Sequence, residues 1–141
     1  MSWIVYAVAT AFALAAADFL VKLAAGRLSS SLAMLLYGIC TFLIGLSWVL
    51  WQRAHGVSQH AQPAGILAAI GVGIAFSFVT LGLYATFEAG APISVASPII
   101  RLGGLLLVSL VGLTLLHEPL TWRYAMGMLL ACGGIYLIIT R

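Results

Sequence analysis

Five long apolar runs separated by short polar breaks organise the chain, at residues 3–23, 32–51, 64–87, 93–116 and 122–140. Each run is continuous rather than alternating. About 20 residues are enough to cross a hydrocarbon core about 30 Å thick as an α-helix. Within lipid the backbone must satisfy its own hydrogen bonds, which leaves helices or a closed barrel. Barrel strands alternate between apolar and polar positions, so continuous runs exclude the barrel. The pattern predicts an all-α integral membrane protein, a five-transmembrane-helix bundle in one domain spanning residues 1–141, with no room for a soluble domain.

The breaks read as turns. Gly26, Arg27 and Ser29 to Ser31 form the first, and residues 52–63 form the only sizeable polar loop, carrying Arg53, His55 and His60. Glu88, Gly90 and Pro92 make a tight third connection, and His117, Glu118, Pro119 and Thr121 make the last. Thr121 is positioned to cap the fifth helix. Trp48 and Trp51, at the end of the second run, suit a membrane–water interface.

Composition fits the same reading. The chain is 141 residues long, 64% hydrophobic and only 6% charged, where soluble domains carry about 25% charge. Six basic and three acidic side chains cannot coat a globule of this size, and a net charge of +3 without a basic cluster gives no sign of nucleic-acid binding. Cys40 and Cys132 both fall inside apolar runs and read as free, buried thiols. Ala15 to Ala17 resemble a small-residue cleavage site, but no Lys or Arg precedes Asp18 and the apolar run continues past the alanines. The first run therefore reads as an uncleaved span. His55 and His60 have no cysteine or acid beside them, which argues against a metal site. No nucleophile constellation, phosphate loop or zinc motif is present, so the chain reads as a non-enzyme without a cofactor.

Small residues recur one helical turn apart: Ala9, Ala13 and Ala17 on the first span, Gly65, Ala69, Gly73 and Ser77 on the third, Gly127 and Ala131 on the fifth. Such stripes let membrane helices approach closely. Five spans put the termini on opposite sides. Arg53 and Arg123 then lie on the N-terminal side, and Lys22, Arg27 and Arg141 on the other. A near-even split of basic residues gives almost no positive-inside bias. That leaves two possibilities: an orientation fixed by other means, or dual topology with copies inserted both ways. A transport path at the midplane generally needs two repeats facing each other. Two oppositely inserted copies would supply them, with the two-fold closure commonest among homo-oligomers.

Ionisable side chains inside spans are costly, about 2.5–3.5 kcal/mol each on insertion scales, and point to function. Asp18 and Lys22, four residues apart, share one helix face and can pair, or Lys22 can snorkel to the interface. Arg101 lies well inside the fourth span with no acid within a turn, so its partner must come from another helix, another chain, a ligand or water. Pro98, one turn earlier, deprives the Ser94 carbonyl of its helical donor and can kink the helix. A loosened turn beside a cation suits an anion or carboxylate; the alternative is a structural ion pair with Asp18 or Glu88. Tyr84 and Glu88, a turn apart at the end of the third span, are either interfacial anchors or part of the same site.

The order of these motifs resembles the EamA-like families of the drug/metabolite transporter superfamily, in particular the short, single-repeat type with five spans. ADFLVK, residues 17–22, looks like the family's opening helix, which ends in a lysine. YATFEAGAPISVASPIIRLGG, residues 84–104, resembles the passage from the third helix to the fourth, where a proline is followed three positions later by a basic residue, here Pro98 and Arg101. HEPLTWRYAMGMLLACGGIYLI, residues 117–138, resembles the closing helix. There Glu118, Leu120 and Thr121 fit, while His117 stands where the family usually has glycine.

The resemblance implies a small secondary transporter of metabolites or drugs in the cell inner (cytoplasmic) membrane. It would work by alternating access as an antiparallel homodimer equivalent to a ten-helix transporter. Arg101 would hold an anionic or zwitterionic substrate, and Asp18, Lys22, Glu88 and Tyr84 would be candidates for gating or proton coupling. Two rivals remain at this point: a flippase for a polyprenyl-phosphate-linked amphiphile, with Lys22 and Arg101 meeting the phosphate, and a non-transporting accessory subunit whose stripes serve a partner helix.

Overall fold

The computed structural model describes residues 3–117 and 119–140. They form α1 (Trp3–Ala24), α2 (Ser30–Ala54), α3 (Pro63–Glu88), α4 (Ile93–Leu115) and α5 (Trp122–Ile139). All five are long and apolar enough to cross a membrane. At 1.5 Å per residue they are about 33, 37, 39, 35 and 27 Å long. The expected spans hold to within three residues at each end. The largest differences are at α2, which starts at Ser30 and runs past Trp51 to Ala54.

Local chemistry sets the boundaries. Pro63 opens α3 at the first helical positions, where its missing N–H costs nothing. Past the Ala89 cap of α3, Gly90 turns into the left-handed region at φ +88, the usual way to end a helix. Thr121 caps α5 as expected, its hydroxyl accepting from the Tyr124 backbone N–H at 3.2 Å. At the end of α4, His117 sits at φ +51, the one non-glycine with positive φ among the described residues. A glycine would be unstrained there, which gives a physical reason for the glycine usual at that position in the resembling family.

Polar residues within the spans are mostly satisfied by their own helix. Nine Ser and Thr hydroxyls, from Thr10 on α1 to Thr140 after α5, donate to the carbonyl four residues earlier. This is how a hydroxyl is tolerated where lipid offers no partner.

The chain divides into two compact units, Met1–Ala89 and Gly90–Arg141. In the first, α1 and α2 each pack on α3. Its buried side chains gather where the ends of α1 and α3 meet the start of α2: Asp18, Ala33, Thr80, Leu83, Tyr84 and Phe87. At the far end of α2, Trp48 stacks on Trp51 (centroids 5.4 Å apart) and His55 lies against Trp51 at 4.3 Å, an aromatic ladder placed for the interface. In the second unit α4 packs on α5. There the Tyr124 hydroxyl donates to the buried Ser109 hydroxyl, which in turn donates to the Leu105 carbonyl at 2.7 Å. Cys40 and Cys132 are free but exposed rather than buried, Cys132 lining an open apolar cleft between α4 and α5, because apolar neighbours in sequence do not here make a packed core.

The small-residue stripes lie open within the single chain. A Cβ added at Gly65, Gly73 or Gly127 would meet nothing within 4 Å. Gly73 instead lines a shallow apolar groove of about 400 Å³ between α2 and α3, with Tyr37, Gly38, Thr41, Phe42 and Phe76.

Candidate functional site

Four of the five ionisable or aromatic candidates meet at one end of the first unit. Thr80, Tyr84 and Phe87 recur at helical spacing on α3 and are all buried, Phe87 to 3% exposure. Asp18 on α1 is buried to 4%, and Lys22, one turn later on the same face, is half-buried. The Lys22 Nζ lies 5.3 Å from the centre of the Phe87 ring, inside the range where an aromatic face attracts a cation. Glu88, on the final turn of α3, is exposed, and its Oε1 accepts from the Ser30 hydroxyl at 2.7 Å. That bond ties the start of α2 to the end of α3.

The arrangement sets a carboxylate shielded from solvent one turn from an ammonium. The ammonium rests on a buried ring, and a second carboxylate closes the end of the unit. Such groups can exchange protons or hold an ionic solute. Among the described residues no group of three or more His, Cys, Asp or Glu is placed to hold a metal ion.

Arg101 stands on α4 in the second unit, half-buried. It lies eight residues from the start of the helix, about 12 Å along its axis. The helix runs unbroken through Pro98. Ser97, beside the proline and one turn before Arg101, has a hydroxyl closed off from solvent with no hydrogen-bond partner among the described residues. Glu118 and Arg141, both weighed in the sequence, lie outside the described residues.

Sequence reasoning did not single out Ser30, Phe87, Thr80 or Ser97. The i, i+4, i+7 recurrence of Thr80, Tyr84 and Phe87 was a usable signal for a buried stripe. The Ser30–Glu88 bond joins residues 58 apart and has no local signature.

Five helices long and apolar enough to cross a membrane, with ionisable groups gathered against a buried ring, define a polytopic membrane protein. The profile of the EamA-like transporter family matches residues 1–140, across both units, and the chain belongs to that family. No curated protein and no solved structure matches the chain.

Proposed function

We propose that the chain is a secondary transporter of small metabolites or drugs in the cell inner membrane, working by alternating access as a homodimer of oppositely inserted copies. A unit of three helices and a unit of two each have little interior of their own, and two inverted repeats are the usual way to build a midplane site. The open stripes at Gly65 and Gly73 on α3, and at Gly127 on α5, offer close-approach surfaces for the second copy. In this reading Arg101 holds an anionic or zwitterionic group of the substrate. Asp18, Lys22, Tyr84 and Glu88 act in gating or proton coupling.

The observation that carries the reading is the Asp18–Lys22–Phe87 cluster. A shielded carboxylate one turn from an ammonium in the first span is costly to place in lipid, and ionisable groups inside spans mark solute or proton paths.

The test is flux in liposomes. Arg101→Gln is expected to abolish accumulation of anionic or zwitterionic metabolites while the dimer still assembles. Asp18→Asn is expected to leave substrate binding but uncouple uptake from an imposed proton gradient. Undiminished flux in Arg101→Gln removes its role, and unchanged gradient dependence in Asp18→Asn removes the coupling role.

A further inference from the structure

We infer that the buried end of the first unit is a site for an organic cation, that the Lys22 ammonium is its built-in occupant, and that Lys22 thereby keeps cationic solutes off the proposed transport path. The site stands on the geometry of the first unit alone. Its consequence for selectivity rests on the transport reading.

A lysine near a helix end normally carries its head group out to water. Lys22 lies in the last turn of α1, two residues before its end at Ala24, within reach of the interface. Its Nζ instead lies 5.3 Å from the centre of the Phe87 ring. That ring is 3% exposed, and Tyr84, one turn earlier on α3, is 8% exposed. Asp18, one turn before Lys22 on the same face of α1, is 4% exposed. Lys22 and Asp18 are both engaged by partners in the folded chain, and the inference uses that commitment: the position is filled, and the chain itself fills it.

The surroundings decide what the position accepts. An aromatic face attracts a cation, and a shielded carboxylate nearby strengthens that attraction. An anion would meet the negative face of the ring and a buried charge of its own sign. A neutral group would leave the carboxylate without a compensating charge, which is costly away from water. Two of the chain's three acids, Asp18 and Glu88, lie at this end. Glu88 is exposed and accepts from the Ser30 hydroxyl, so Asp18 is the shielded one. Arg27, in the turn after α1, is exposed. The favoured occupant is an ammonium on a short apolar stem, which is what a lysine side chain offers. A tethered group acts at an effective concentration on the order of millimolar or more. Free cations below that level do not displace it, and Lys22 becomes a determinant of charge selectivity.

The experiment uses n-butylammonium, the head and stem of lysine without the backbone. Purified full-length protein is titrated calorimetrically. The parent is expected to bind none. Lys22→Ala is expected to bind it saturably, with an affinity on the order of millimolar, the range open to so small a ligand, and its unfolding midpoint rises with binding. Lys22→Met, which fills the stem without the charge, is expected to bind none. Butyrate, n-butanol and sodium chloride at equal ionic strength are expected to do nothing to Lys22→Ala. Adding Phe87→Leu to Lys22→Ala weakens binding about tenfold, the scale of a partly desolvated cation–π contact, and adding Asp18→Asn weakens it at least as much.

No binding to Lys22→Ala, or binding indifferent to both added changes, overturns the site. If Lys22→Ala does not assemble, Lys22→Cys is made in a background carrying Cys40→Ser and Cys132→Ser. Aminoethyl methanethiosulfonate, which rebuilds the cation, is expected to restore the parent unfolding midpoint where the neutral ethyl reagent does not; equal recovery overturns the site. In liposomes, Lys22→Ala is expected to take up labelled tetramethylammonium, which the parent excludes. Binding without that uptake keeps the site and counts against the transport reading. Uptake by parent and variant alike overturns the exclusion by Lys22.

Discussion

Replacing Phe87 with leucine removes the aromatic face beneath Lys22 while leaving an apolar side chain of similar bulk. The Nζ–centroid separation is 5.3 Å, the ring is 3% exposed and Lys22 is half-buried. The ammonium is therefore partly desolvated, and the contact falls between the ~0.5–1 kcal/mol of exposed pairs and the ~2 kcal/mol of desolvated ones. Phe87→Leu also loses packing, so the single change overstates the contact. Lys22→Met keeps the length and apolarity of the stem and removes the charge. The cycle of Phe87→Leu, Lys22→Met and the double variant cancels packing terms and any effect of losing the lysine on Asp18. A coupling of about 1–1.5 kcal/mol is expected. It is measured by titrating the purified protein with a denaturing detergent and following helix content by circular dichroism. A coupling under about 0.3 kcal/mol, the level at which independent sites already add, would refute the claim that the ring holds the ammonium.

His117→Gly is expected to raise stability by about 1 kcal/mol by relieving the left-handed backbone at φ +51; an unchanged or lower unfolding midpoint would show that the imidazole itself holds the turn. Thr121→Ala is expected to cost about 1 kcal/mol through the lost cap on the Tyr124 N–H, with Thr121→Ser close to the parent in the same titration. A single cysteine at Ser58, in a background lacking Cys40 and Cys132, is expected to be labelled from outside in half the copies of intact cells; complete or absent labelling would rule out opposite insertion.

Much of the fold was legible because lipid enforces a simple rule: long apolar runs must be helices. All five spans and the Thr121 cap follow from that rule and from local turn chemistry. The site was legible only in part. Asp18, Lys22 and Arg101 stand out because charge is rare in apolar runs. Their surroundings depend on which helix faces which, and continuous apolar runs carry little facial information. Phe87 is one of six phenylalanines, and nothing local distinguishes the one beneath Lys22. Ser30 pairs with Glu88 across most of the first unit, beyond any periodicity. Ser97 reads in the sequence as an ordinary helical serine; its missing back-bond is visible only in coordinates. The thiols were expected to be buried because apolar neighbours in sequence suggest a core, but in a lipid-solvated chain those neighbours face outward as well.

The helices differ in length by nearly half, from 18 residues in α5 to 26 in α3. Measured against a hydrocarbon core about 30 Å thick, α5 falls short at about 27 Å while α3 overshoots at about 39 Å. No single bilayer thickness suits both. A thin membrane makes α3 lean, and a thick one stretches or dimples the lipid around α5. Acyl-chain length thus becomes a variable that sets the tilt of the helix carrying Tyr84, Phe87 and Glu88, and reconstitution in lipids of graded chain length would tune this protein without changing a residue.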